Sequence, residues 1–323
     1  MTRIALVGAG LMGSQIGCEY ALAGCEVVWI VRDRAAAQAR IDRALKLVLH
    51  HRLADAAAVE LARGRMRFGG EQGPGGEQGP GGEPSVGGEQ GSGRGPNAAE
   101  DAPDVIVESL PEDLALKADV LRPLLAAHPD AVLATNTSSI AISALGEAAG
   151  AAERIVGTHY WNPPLLMPLV EVVAGERTSA KLRDRLAELL RSIGKRPVLL
   201  EREVPGLLWN RLQSAMLREC LWLVEHGVAT PETIDEVMRD GLARRWRLTG
   251  PFETVGLGGA QTFDAIAANL FPLLSDATAT SGFAPHVPSD PQALAELRER
   301  RDDALAAELR AERDAGSGGG ASP

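Results

Sequence analysis

Apolar residues gather in short runs through the first part of the chain: RIALVG at 3–8, CEVVWIV at 25–31, DVIVES at 104–109 and AVLATN at 131–136. Runs of this length, rich in β-branched residues, predict strands, and the stretches between them carry helical periodicity. Strands that alternate with helices predict parallel βαβ units and a doubly wound sheet. After RPVLLER (196–202) the strand signals stop. PGLLWNRLQSAMLRECLWLVEHG (205–227) predicts a helix with Pro205 near its start and Gly227 past its end. TPETIDEVMRDG (230–241) predicts another, with Thr230 as N-cap and Pro231 in the first turn. The pattern therefore predicts an α/β Rossmann-type domain over residues 1–202 and an all-α domain over 203–314, with a frayed tail at 315–323.

One stretch breaks the alternation. Residues 69–96 hold 13 of the chain's 36 glycines and repeat GGEQGP. So little apolar surface cannot offset the entropy of ordering, which predicts a disordered insertion over 69–100, ahead of the strand at 104.

Composition adds limits. A chain of 323 residues, 45% hydrophobic, can bury the cores of two domains. The formal charge of −10 argues against a nucleic-acid partner, which needs a basic face. No apolar run reaches the roughly 18 residues that span a bilayer, and MTRIALVGAG enters a strand pattern with no signal-peptide features. Three cysteines, Cys18, Cys25 and Cys220, show no metal-type spacing and fit buried thiols in a reducing cytoplasm. A cytoplasmic protein with no membrane partner is expected.

An acidic chain can still bind an anionic cofactor through backbone N–H groups. Gly8, Gly10 and Gly13 form a G-x-G-x-x-G directly after the first strand and at the opening of a helix, with Leu11 and Met12 between the last two. The first glycine permits a tight turn, the second lets backbone approach a pyrophosphate, and the third lets helix and strand pack closely. The helix N-terminus supplies the positive end for the phosphates. A dinucleotide cofactor is expected. The second strand ends WIVRDR, and the acid that usually holds the ribose hydroxyls is not at its last position. Asp33, just beyond, could reach a ribose and signify NAD; Arg32 could meet a 2′-phosphate and signify NADP; both could simply be solvated. NAD is the expectation, with NADP open.

The segment GTHYWNPPLLMPLVEVV (157–173) places His159 in an apolar run and Glu171 inside what reads as a buried strand. A histidine on an apolar strand is by default a satisfied core residue. Beside a carboxylate and a cofactor motif in the same domain, it becomes a candidate general base, since its unperturbed pKa of about 6.5 suits proton abstraction near neutral pH.

VGAGLMG, ESLPEDLALK, TNTSSIAIS, GTHYWNPPLLMPLVEVV and PGLLWNRL occur in the order of the L-3-hydroxyacyl-CoA dehydrogenase family, and the chain resembles that family along nearly its whole length outside the glycine-rich stretch and the tail. GLARRWRLTGPFET (241–254) is more similar to the gulonate 3-dehydrogenase and λ-crystallin branch. The resemblance implies that His159 is the base that oxidises a secondary alcohol, with Glu171 bound to its other ring nitrogen. It implies that Ser138 and Asn210 bind the substrate oxygen, although Ser138 could also cap a helix and Asn210 could be a cap or an interdomain contact. It implies that Glu112 and Lys117, and Asn136 near them, lie at the nicotinamide ribose; on spacing alone Glu112 and Lys117 could be an exposed helix pair. The active site is expected between the two domains, the nicotinamide facing His159. A homodimer through the helical domain is also implied.

The substrate expectation is a 3-hydroxyacyl-CoA thioester, which would place the chain in fatty acid metabolism. The stretch 37–68, where cations for CoA phosphates are expected, has Lys46 and several arginines but no conspicuous basic patch. The alternative, implied by the resemblance to the gulonate-type branch, is a small free 3-hydroxy acid, its carboxylate, which arginine can bind bidentately, clamped by Arg245; Arg245 could equally belong to a dimer interface. A third reading is a non-catalytic nucleotide-binding protein. No metal is expected.

Overall fold

The computed structural model describes residues 1–69, 102–280 and 282–317. Nearly all of the glycine-rich stretch and the final residues, on which the expected insertion and tail fall, lie outside the described residues. Contacts divide the chain into two compact units, Met1–Leu208 with the stretch from Arg300, and Trp209–Glu299.

The first unit is built on an eight-stranded sheet. In chain order its elements are β1 (Arg3–Val7), α1 (Leu11–Leu22), β2 (Glu26–Ile30), α2 (Arg34–His50), α3 (Ala56–Gly64), β3 (Met66–Phe68), β4 (Val105–Glu108), α4 (Leu114–Ala127), β5 (Val132–Thr135), α5 (Ile142–Ala149), β6 (Ile155–Tyr160), β7 (Leu169–Ala174), α6 (Ala180–Ser192) and β8 (Arg196–Leu199). The strand order is β3-β2-β1-β4-β5-β6-β7-β8. β1 to β6 run parallel, the order of a doubly wound dinucleotide fold, and β7 turns back antiparallel to β6 with β8 parallel to it. The chain order reverses between β1 and β4, and ligands of open α/β sheets bind outside the carboxyl ends of the strands at such a point.

The strands are mostly apolar because helices cover both faces. Ile4 and Leu6 of β1 and Val27 and Trp29 of β2 pack in one core, while Ala5 and Val7 with Ile106 and Leu133 pack in the other. The alternation follows from the two-residue period of a strand. Gly17 of α1 is one reason the first core closes: a Cβ there would come within 2.2 Å of the Trp29 ring. Cys18 and Cys25 are buried in this core and all three cysteines are free thiols. Burial pushes the Cys18 thiol up to about 12, which keeps it an inert hydrophobe.

The chain continues through α7 (Leu207–Glu225), α8 (Pro231–Glu236), a π-helical turn at Val237–Ala243, α9 (Arg244–Trp246), α10 (Pro251–Gly258), α11 (Ala260–Leu270) and α12 (Pro291–Ser317). Gly227, at φ +66, closes α7, and the Thr230 hydroxyl accepts from Thr233 N at the start of α8. The second unit is helical and buries little: Leu248, Phe252, Leu257 and Leu273 are all more than two-thirds exposed.

The units divide differently from a single boundary near residue 202. The break falls inside α7, and the end of α12 belongs with the sheet rather than with the helices before it. Ala306 and Leu309 are buried there, Arg310 donates to the carbonyl of His51, and Arg313 donates to that of Leu53. α12 also runs to Ser317, past the expected end at 314. Local periodicity could not reveal that one helix serves two units. Among the described residues no helix is long and apolar enough to cross a membrane.

Candidate active site and dinucleotide site

The glycine turn joins β1 to α1 at the carboxyl edge of the sheet. Gly8 adopts φ +94, and a Cβ on it would come within 2.5 Å of the Ser109 carbonyl oxygen. A Cβ on Gly13 would meet the Gly8 carbonyl oxygen at 2.1 Å, so helix and strand touch through this residue. Gly10 is different: a Cβ there meets nothing within 4 Å. The protein itself leaves open the space that a side chain would fill, at the N-cap of α1 with no side-chain cap. That is a cradle for a pyrophosphate on the first backbone N–H groups. Leu11 is exposed and Met12 half-buried at the mouth of the same turn. The residues present fit a dinucleotide.

At the end of β2 the Asp33 carboxylate accepts from Ala36 N at 2.9 Å and caps α2, a use that its position in the sequence did not reveal. Arg32 is exposed beside it.

The floor of the cleft holds a buried polar cluster. Glu108 closes β4 with no exposure, and Lys117 of α4 is equally buried. Lys117 Nζ donates to Glu108 Oε1 at 2.6 Å and lies 3.3 Å from Glu112 Oε2. Thr135 donates to the other Glu108 oxygen at 2.6 Å. Glu112 and Lys117 are therefore no exposed helix pair. The Glu112 carboxylate gathers the loop after β5: its Oε1 accepts from the Thr137 hydroxyl at 2.5 Å, Ser138 N at 3.0 Å and Ser139 N at 2.7 Å. Burial pushes this carboxyl up, but the hydrogen bonds from Thr137 and Ser139 and the Lys117 charge outweigh it and hold it at about 2.

Ser138 is thus held by its backbone at the carboxyl end of β5, beside a cavity of about 220 Å³ lined by residues 137–142 and 203–207. Asn136, one turn earlier, accepts from Tyr160 N at 2.8 Å and ties the end of β5 to the end of β6.

His159 is the penultimate residue of β6, and the antiparallel register sets it directly opposite Glu171 of β7. Its Nδ1 lies 2.6 Å from Glu171 Oε2, with both side chains buried. Trp161 Nε1 reaches the same carboxylate oxygen at 3.4 Å, and Leu208 N donates to Oε1 at 2.8 Å. Both carboxylate oxygens are committed, so the acid is fixed, and with it the imidazole. The loop beyond β6 is pinned to α1: Leu165 N donates to Gln15, and Lys195 Nζ pairs with Glu19 at 2.5 Å while donating to the Pro164 and Met167 carbonyls. The helix that starts at the glycine turn thereby also holds the loop that follows His159. Asn210 lies on α7 and Arg245 on α9, both in the second unit.

Sequence reasoning missed Glu108, Thr135, Gln15 and Trp161. Glu108 could have been found: an acid that ends an apolar strand, nine positions before a helical lysine, is a candidate buried pair.

A doubly wound sheet with a glycine cradle at its switch point defines a dinucleotide-binding domain. Family comparison agrees: residues 94–204 match the NAD-binding domain of 3-hydroxyacyl-CoA dehydrogenase and residues 206–284 its C-terminal domain. The 5-formyl-3-hydroxy-2-methylpyridine 4-carboxylate 5-dehydrogenase of Mesorhizobium japonicum is 30% identical over 85% of this chain and 81% of its own. A solved structure of an enzyme of that name, described as an NAD⁺-dependent dismutase, superposes with TM-score 0.77 at 27% identity, over 96% of this chain and 98% of that one. The L-carnitine dehydrogenase of Nocardiopsis dassonvillei is 42% identical over 49% of this chain and 48% of its own, so the match spans about half the length of that relative. The chain belongs to the 3-hydroxyacyl-CoA dehydrogenase family. It is an NAD-dependent oxidoreductase acting on CH–OH groups.

Proposed function

We propose that the protein oxidises the 3-hydroxyl of a small free hydroxy acid to a ketone, reversibly, with His159 as general base. The observation that carries the chemistry is the buried His159–Glu171 pair at the carboxyl end of β6. With Nδ1 on the carboxylate, Nε2 is the nitrogen left to take the hydroxyl proton. Glu171 fixes the tautomer and stabilises the imidazolium once the proton arrives, as the acid of a catalytic triad does. NAD supplies the hydride acceptor when bound. The backbone at Gly8, Gly10, Leu11, Met12 and Gly13 would hold its pyrophosphate, and Glu112, Lys117 and Asn136, which order the neighbouring loops, would flank its nicotinamide ribose. Ser138 would donate to the reacting oxygen, and the family resemblance assigns Asn210 the same role.

The free-acid reading rests on the cations of α2 and α3. Where an acyl-CoA enzyme would offer them to phosphates, several are committed: Arg40 to the Ala9 carbonyl, Arg63 to Asp42 and Glu60, Arg65 to the Ala21 carbonyl. The names of the two sequence relatives, a pyridine carboxylate dehydrogenase and L-carnitine dehydrogenase, point the same way. Arg245, exposed on α9, is the proposed carboxylate clamp. The family models favour the second reading, a 3-hydroxyacyl-CoA thioester. NAD reduction measured with matched pairs, 3-hydroxybutyrate and carnitine against 3-hydroxybutyryl-CoA, decides. Higher kcat/KM on a free acid, reduced by Arg245→Ala, is the expected result; preference for the thioester with no effect of Arg245→Ala overturns the reading. We also place the protein in the cytoplasm as a homodimer, supported by its buried free thiols and by the apolar side chains left exposed on the helical unit.

A further inference from the structure

We infer that the end of α2 and the last helix, α12, form a binding site for a divalent transition-metal ion, held by His50, His51 and Asp303. One ligand atom from each of these three residues lies within 4.8 Å of the other two. His51 Nδ1 is 3.4 Å from Asp303 Oδ1, and His50 Nε2 is 4.0 Å from the same oxygen. At 4.0 Å the His50 separation is beyond hydrogen-bond reach, and at 3.4 Å the His51 separation lies at its long limit. The His51–Asp303 separation matches the spacing of ligands around an ion, and the His50–Asp303 separation exceeds it. Nitrogen and carboxylate oxygen at about 2.0–2.2 Å from a tetrahedral zinc lie roughly 3.3–3.5 Å from one another. Two of the side chains have room to close the remaining gap, His50 being 67% and Asp303 58% exposed, whereas His51 at 7% is the fixed anchor.

Asp303 adds a formal charge. His50 is the last residue of α2 and His51 its C-cap, where the helix presents the negative end of its dipole to a cation. Arg310 opposes this, since its guanidinium sits on the His51 carbonyl. Asp302, next to Asp303, carries the opposite charge. Two imidazoles and one carboxylate form a donor set for zinc and its borderline neighbours rather than for magnesium or calcium. With three protein ligands, the fourth position goes to water.

The position of the site says what the ion does. α12 reaches this part of the sheet unit through Arg310 and Arg313, both bound to carbonyls just past the end of α2. An ion at His50–His51–Asp303 adds a coordinate link at the same junction. His159 and the glycine turn contribute nothing to it. The site is a clamp on the returning helix and not part of the hydride chemistry.

The test uses the full chain, stripped with a chelator and titrated with Zn²⁺ by calorimetry, alongside thermal melts at rising Zn²⁺. Binding of one equivalent is expected, with a melting temperature that climbs as the logarithm of free zinc. The double variant His50→Asn/Asp303→Asn alters only exposed side chains and so keeps the fold. It should bind zinc at least 10-fold more weakly, lose the melting shift and retain NAD-dependent turnover in metal-free buffer. Unchanged zinc affinity in the double variant, or no saturable binding to the unaltered chain, overturns the inference.

Discussion

Gly10 and Gly13 separate two demands that one motif makes at once. Gly13 is a packing residue: the clash of a Cβ with the Gly8 carbonyl lies entirely inside the protein. Gly13→Ala should therefore lower the melting temperature of the cofactor-free chain. Gly10 meets no protein atom, so Gly10→Ala should melt like the unaltered chain yet bind NAD at least 10-fold more weakly by fluorescence titration. Equal stability losses in the two variants would deny the cradle. At the base, Glu171→Gln keeps the shape but removes the charge that stabilises an imidazolium. It should lower kcat by roughly 10-fold or more and leave the far-ultraviolet dichroism unchanged. The glycine spacing was legible in the sequence because each glycine answers a backbone requirement. His159 and Glu171 were legible as residues, and their contact was legible through the family resemblance rather than the pattern: it follows from β7 turning antiparallel, which an apolar run does not announce. Asp33 was ambiguous, since an acid just past a strand is equally a ribose ligand and a helix cap, and here it caps α2.

Among the elements, the loop after β5 depends most on a single side chain. Glu112 takes four residues' donors, and its carboxyl is held at about 2 against an ordinary value near 4.3. A depressed carboxyl contributes stability above its unfolded value and loses it as the pH falls through the folded one. Between about pH 4.5 and pH 2, then, the unaltered chain should lose a component of stability that Glu112→Gln lacks, visible as converging melting temperatures on acidification. Parallel curves would remove Glu112 from the account. The loop after β6 rests on Lys195 and Glu19, a nearly buried pair. Lys195→Met strands a buried carboxylate and should cost about 3–5 kcal/mol in urea unfolding, whereas Lys195→Met/Glu19→Met should recover most of it. Such pairs stay hidden in a sequence, because a lysine before one strand and a glutamate in one helix, far apart in the chain, read as two solvated charges.

At the scale of the whole molecule, the doubly wound sheet was legible from the alternation of apolar runs and helices, and the division into units only in part. α12 reads as one continuous helix, yet from Arg300 it returns to the sheet unit, and only tertiary contact reveals that change. The helical unit leaves Leu248, Phe252 and Leu257 largely exposed, apolar side chains that a second copy of the chain would cover. Sedimentation should give a dimer, and Phe252→Glu should shift it toward monomer; a monomeric unaltered chain would contradict the assembly proposed here. The central claim is that a buried imidazole, fixed by a carboxylate at the carboxyl edge of the sheet, takes the proton as hydride leaves for NAD. Turnover and NAD affinity of His159→Gln, measured together, test it most directly. The account predicts a kcat lower by roughly 10²–10⁴ with the dissociation constant for NAD unchanged. Retained turnover, or turnover and NAD affinity lost in equal measure, would contradict it.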